Sequence, residues 1–104
     1  MKIEISEAIT IEGGEISFAQ LIEYSGLSER ELRELIDYGA LSPRDPAAQS
    51  WSFDASALRA ARIAERLRRD FELDANALSL VLSYVERIEE LEAELRALRA
   101  GVAR

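Results

Sequence analysis

Ile3 and Ile5 alternate with Lys2 and Glu4, and Ile9 and Ile11 repeat the two-residue period before Gly13 and Gly14 break it. Alternation of this kind lays the apolar residues on one face of an extended chain. The N-terminus is therefore expected to form one or two short strands. After Gly14 the period lengthens. Ser17 is suited to cap a helix from Phe18 to Tyr24, with Leu21 and Ile22 facing inward and Phe18 one turn earlier. Gly26 can take the positive φ that closes such a helix. Ser28 and Glu31 have the three-residue spacing of a capping box, and Leu32, Leu35 and Ile36 follow as an apolar stripe. Gly39 ends this second helix and Pro43 prevents its continuation. Two short helices about a Gly-containing turn predict a helix-turn-helix.

Residues 42–50, SPRDPAAQS, have loop composition. The WSF that follows (Trp51 to Phe53) reads as a short strand able to pair with the N-terminal one. Strand, helix pair, loop and strand together outline a winged helix. Asp54 is placed to cap a third helix ending near Arg69. On this helix Ala57, Ala60, Ala64, Leu67 and Phe71 share one side and Arg59, Arg62, Arg66 and Arg69 another. Asp74 caps a last helix, 75–100, with Gly101 as its stop and a length of about 40 Å. Val81, Tyr84, Ile88, Leu91, Leu95, Leu98 and Val102 step 3, 4, 3, 4, 3, 4 along it, which is a heptad seam. A seam on a helix this long must be covered by a second copy, by a partner, or by the body of the chain folded back. The expected core is Leu32, Leu35, Ile36, Trp51, Phe53, Leu67 and Phe71. The fold class is mainly α, and the 104 residues form a single domain.

Composition narrows the chemistry. There is no Cys and no His, which removes disulfides, thiol redox sensing, Cys or His catalysis and nearly all zinc sites. No pair of carboxylates sits in a pocket-forming context. The chain is therefore read as a non-enzyme without metal or cofactor. No apolar run approaches the roughly 20 residues of a membrane span, and the first residues lack the form of a signal peptide. A cytoplasmic location is expected.

The net charge is −7, a handicap for phosphate binding. It is also uneven. Residues 1–42 carry three basic and nine acidic side chains, residues 43–69 six and three, and residues 70–104 four and eight. Only the middle of the chain favours DNA. On the second helix Arg30, Glu31, Glu34, Asp37 and Tyr38 lie away from the apolar stripe, as a solvated face or as an acidic, partly aromatic patch for a basic protein surface. Arg59, Arg62, Arg66 and Arg69 form one face suited to phosphates or an acidic protein, unless they pair internally. Trp51 and Phe53 alternate with Ser52 and suit anchors for the wing.

The run GLSERELRELIDYGALSP, the WSFD strand and the long terminal helix resemble the MerR-like helix-turn-helix superfamily over Ile16 to about Leu98. Within it, IAERLRRDFELDANALSLVLSYVERIEELEAELRAL is most similar to the CbpM family of chaperone modulators. That resemblance implies a protein that binds the J-domain of a DnaJ-like co-chaperone, CbpA, and inhibits it. A J-domain presents a basic helix, so an acidic competitor makes physical sense. The resemblance to DNA-binding MerR regulators is weaker in detail. Their second helix usually carries an Arg followed by an aromatic pair, whereas Arg33 is followed by Glu34 and Leu35. Their wing is basic before a Tyr, whereas Trp51 and Ser52 precede Phe53. Arg30, Arg33 and Arg44 remain where DNA contacts would fall, so a dimeric DNA-binding regulator is the alternative.

Overall fold

The computed structural model describes residues 2–6, 9–12 and 14–102, with side chains from 14 to 101. Its elements run β1 (Lys2–Ser6), β2 (Ile9–Glu12), β3 (Glu15–Ser17), α1 (Phe18–Ser25), α2 (Glu29–Asp37), β4 (Ser52–Asp54), α3 (Ser56–Phe71) and α4 (Ala75–Val102). The architecture is mainly α. β1 and β2 form an antiparallel hairpin with Ile3 opposite Ile11 and a register shift between Glu4 and Ser6. The faces taken by Ile3, Ile5, Ile9 and Ile11, and the half of the break at Gly13, lie outside the described residues.

The WSF segment does not pair with the N-terminal strand. β4 pairs with β3, a strand of three residues, with Ile16 opposite Phe53 and Ser17 opposite Ser52. One buried residue per strand is too few for alternation to announce it in the sequence. Ile16 and Phe53 are nevertheless among the most buried side chains present. The loop before β4 is closed by Arg44 N–H donating to the Ser52 carbonyl and Phe18 N–H to that of Trp51.

Local signals set the helix ends. Ser17 Oγ accepts from Gln20 N–H at 3.1 Å while Gln20 Oε1 accepts from Ser17 N–H at 3.0 Å. Gly26, at φ 85°, ends α1, and the Oγ of buried Ser25 accepts from Leu27 N–H. Ser28 and Glu31 form the second capping box. At the far end Ala40 N–H donates to Leu35 and Gly39 N–H to Ile36, a Schellman closure with Gly39 at φ 82°. Asp74 Oδ1 accepts from Ala77 N–H at the start of α4. Asp54 does not cap α3: its Oδ2 accepts from Ser56 N–H two residues on, in an Asx turn, and the N-cap is Ala55, which has no side-chain cap.

The core lies where α1, α2 and α3 meet the β3–β4 ladder and the first turns of α4. Leu21, Leu32, Leu35, Phe53, Leu58, Ala61 and Ala64 are fully enclosed, and Leu78 and Leu82 complete it from α4. Three expectations need correction. Phe71 is 66% exposed: it is the last residue of α3, where the chain turns away at Glu72 (φ 55°). The buried stripe of α3 is rotated from the alanine row toward Leu58 and Ala61, and Leu67, Ile36 and Trp51 are half-buried. Gly101 does not stop the last helix, which continues to Val102. A Gly costs a helix only about 1 kcal/mol relative to Ala, and no Pro follows to break this one. Beyond Val85 the α4 residues are exposed through Gly101, and Glu89 still reaches back to Arg59 of α3. The radius of gyration is 15.0 Å, against about 13 Å for a compact chain of this length.

Candidate functional site: charge on the helix-turn-helix

The capping box that starts α2 also fixes Glu31. Its carboxylate accepts from Ser28 N–H at 3.0 Å, and its second oxygen lies 2.7 Å from Arg68 Nε on α3. Arg68 Nε is buried with no acceptor in line with its N–H, so the contact is ionic and not a directed hydrogen bond. Partial burial pushes the Glu31 carboxyl up; the Ser28 hydrogen bonds and the Arg68 and Arg30 charges outweigh it and hold the group below its ordinary value. Two further carboxylates of α2 are paired along the helix: Glu34 with Arg30 at 3.3 Å and Glu29 with Arg33 at 3.4 Å. Such exposed pairs contribute little to stability, about 0–1 kcal/mol each, but they cancel charge. Asp37 has no ion-pair partner among the described residues. It sits in the last turn of α2, where no basic residue compensates the helix dipole. Tyr38 beside it is 57% exposed.

The five residues expected to form an acidic patch are thus brought onto one helix but not into one electrostatic state. Glu31 and Glu34 are largely neutralised, Arg30 serves Glu34, and the uncompensated end is at Asp37 and Tyr38.

The arginine row is likewise divided. Arg59 reaches Glu89 of α4 at 3.4 Å and Arg69 reaches Glu65 at 3.4 Å. Arg62 turns inward and its Nε donates to the Tyr24 carbonyl at 3.1 Å, satisfying a carbonyl at the end of α1. Arg66 is the member of the row with neither an ion pair nor a side-chain hydrogen bond among the described residues. At the wing, Arg44 donates to the Gly14 carbonyl and faces Asp54 and Glu15. Asp54 is held below its ordinary value first by the Ser56 hydroxyl and N–H, with burial opposing and Arg44 assisting.

Arg33 has a role that spacing did not reveal. Its guanidinium lies 5.3 Å from the Phe18 ring centroid and 5.4 Å from that of Trp51. Phe18 and Trp51 meet edge-on at 5.5 Å, and Trp51 Nε1 donates to the Pro46 carbonyl. A cation stacked on two rings helps lock the wing to α2 and is less available to phosphates. The sequence places Arg33 only where DNA contacts would fall.

No group of His, Cys, Asp or Glu able to hold a metal occurs among the described residues, and none of their helices is long and apolar enough to cross a membrane. On α4 the seam is bare: Tyr84, Ile88, Leu91, Leu95 and Leu98 are all exposed.

A family model described as MerR HTH family regulatory protein matches residues 16–100. Chaperone modulatory protein CbpM of Escherichia coli O139:H28 is 33% identical over 81 residues, covering 78% of this chain and 80% of the relative. CbpM of Escherichia coli O157:H7 and of Shigella boydii serotype 18 match with the same identity and coverage. The span of the family model takes in most of β3, the helix-turn-helix, β4, α3 and nearly all of α4. With its reader-shaped body and long terminal helix, the chain belongs to the MerR-like helix-turn-helix family and, within it, to the CbpM family of chaperone modulatory proteins.

Proposed function

We propose that this protein is a chaperone modulator that binds the J-domain of a DnaJ/CbpA-like co-chaperone and inhibits it, acting as a single domain in the cytoplasm and not as an enzyme. One observation carries the reading. The scaffold has the shape of a DNA reader, yet its arginines are mostly spent on internal carboxylates, rings and carbonyls, while the chain as a whole is at −7. A polyanion finds few free cations on it; a basic protein surface finds uncompensated acid. The relatives' description as chaperone modulatory proteins supports the same direction.

Of the residues expected to make the contact, Arg30, Glu31, Glu34, Asp37 and Tyr38, those proposed here are Asp37 and Tyr38, since Glu31 is held by Arg68 and Glu34 by Arg30. The bare seam of α4 supports a homodimer formed through that helix, because exposed apolar side chains at a and d positions are buried by a second seam of the same kind. DNA contact through Arg59, Arg62, Arg66 and Arg69 is the second reading. It is disfavoured, since Arg66 alone of the four is neither ion-paired nor turned inward among the described residues.

Titration separates the two. An isolated J-domain is added in one series and duplex DNA in another, each at several salt concentrations. The proposal expects saturable J-domain binding and weak duplex binding that falls steeply with salt. Tight, salt-sensitive duplex binding with no J-domain response would overturn it.

A further inference from the structure

We infer that the partner's basic helix seats in a groove of mixed polar and apolar lining between the C-terminal end of α2, α3 and the first half of α4, and not across the outer face of α2. This rests on the J-domain reading above and locates its docking site. Two depressions, of about 430 and 300 Å³, adjoin there and share Gly39, Ala40 and Glu86 in their walls. The larger is floored by Ala57, Ala60, Ile63 and Val85, and the smaller is flanked by Tyr38 and Leu80. Tyr38 and Leu80 are each 57% exposed. Small side chains set the depth. A Cβ built on Gly39 would meet nothing within 4 Å, and its positive φ disfavours any side chain there. A partner can therefore come close to the backbone at the end of α2.

Charge selects the occupant. Of the acids around the larger depression, Asp54 is held by Arg44 and Glu89 by Arg59, which leaves Glu86 without an ion-pair partner among the described residues. Asp37 lies in the last turn of α2, where the dipole is also negative and no basic residue answers it. Helices usually place Lys or Arg at this end; here a cation supplied from outside would fill the role. An amphipathic helix with an apolar stripe for the alanine floor and Lys or Arg at its edges fits both features. The site is also clear of the α4 seam. Glu86 is two residues from both Tyr84 and Ile88, hence about 200° around the helix from each. Two copies joined through their seams keep both grooves open.

The test uses the full chain, an isolated J-domain, and the variants Asp37→Lys, Glu86→Lys and Glu34→Lys. Thermal unfolding is recorded beside each titration. Asp37→Lys and Glu86→Lys should each weaken J-domain binding about tenfold or more with no fall in melting temperature. Glu34→Lys, on the outer face, should change it less than about threefold. Wild-type binding with both groove variants unaffected overturns the location and leaves the J-domain reading standing. Absence of J-domain binding by the wild type overturns the reading itself, and the location with it.

Discussion

Glu31 shows how much of one carboxylate a small protein can use internally. It closes a capping box, faces Arg68 across two helices, and titrates below its ordinary 4.5 as a result. A carboxyl with a lowered folded pKa adds stability above its unfolded value and loses it as the pH falls through the folded one. Glu31→Gln should therefore cost about 0.3–1.5 kcal/mol at pH 7, and its urea midpoint should converge with the wild type as the pH falls well below 4.5. Asp54, lowered from 3.8, adds to the same acid sensitivity. Asp37 is the opposite case. A negative group at a helix C-terminus opposes the dipole, so Asp37→Lys should raise stability by about 0.3–1 kcal/mol, read as a higher urea midpoint. A residue whose removal strengthens the fold is better explained by an external contact than by packing.

Among the elements, α3 and α4 differ most from their sequence reading. Phe53 and Phe71 both suit a core, but Phe53 is enclosed by α1, α3 and the short ladder while Phe71 ends a helix in solvent. Phe53→Ala should cost about 3–5 kcal/mol in chemical denaturation, whereas Phe71→Ser should stay within about 0.5 kcal/mol of the wild type. For α4, the exposed seam sets an expectation about mass. Leu91→Glu together with Leu95→Glu should lower the sedimenting species to a monomer while the midpoint of the helix-turn-helix body holds, since neither residue packs on it. A wild-type chain that sediments as a monomer at every concentration would remove the homodimer proposal.

For the whole molecule the decisive quantity is the distribution of free charge, not its total. Thirteen basic residues stand against twenty acidic ones, yet most arginines of the helix-turn-helix and of α3 are tied within the chain. Raising salt should thus weaken J-domain binding modestly, through the few uncompensated acids at the groove. Any duplex binding should fall far more steeply, since each phosphate contact releases counterions. A slope for the J-domain as steep as that for DNA would contradict docking through so few charges.

Local patterns carried a large part of this structure. Ser17, Ser28 and Asp74 announced helix starts, Gly26 and Gly39 announced ends, and the LRELI stripe placed Leu32 and Leu35 in the core, because caps and helical stripes depend on neighbours three or four residues apart. The resemblance to CbpM rested on the same local text. Pairings between distant residues were not legible. Nothing near Glu31 in the sequence points to Arg68, nothing near Arg62 points to the Tyr24 carbonyl, and three residues of β3 were too few to show that β4 pairs with them. Whether a charge is free or spent depends on which helix packs beside it, and that is decided by how the apolar stripes bury together in three dimensions. The sequence alone therefore determined the helices and the family, while the tertiary packing decided where on them the uncompensated charge remains.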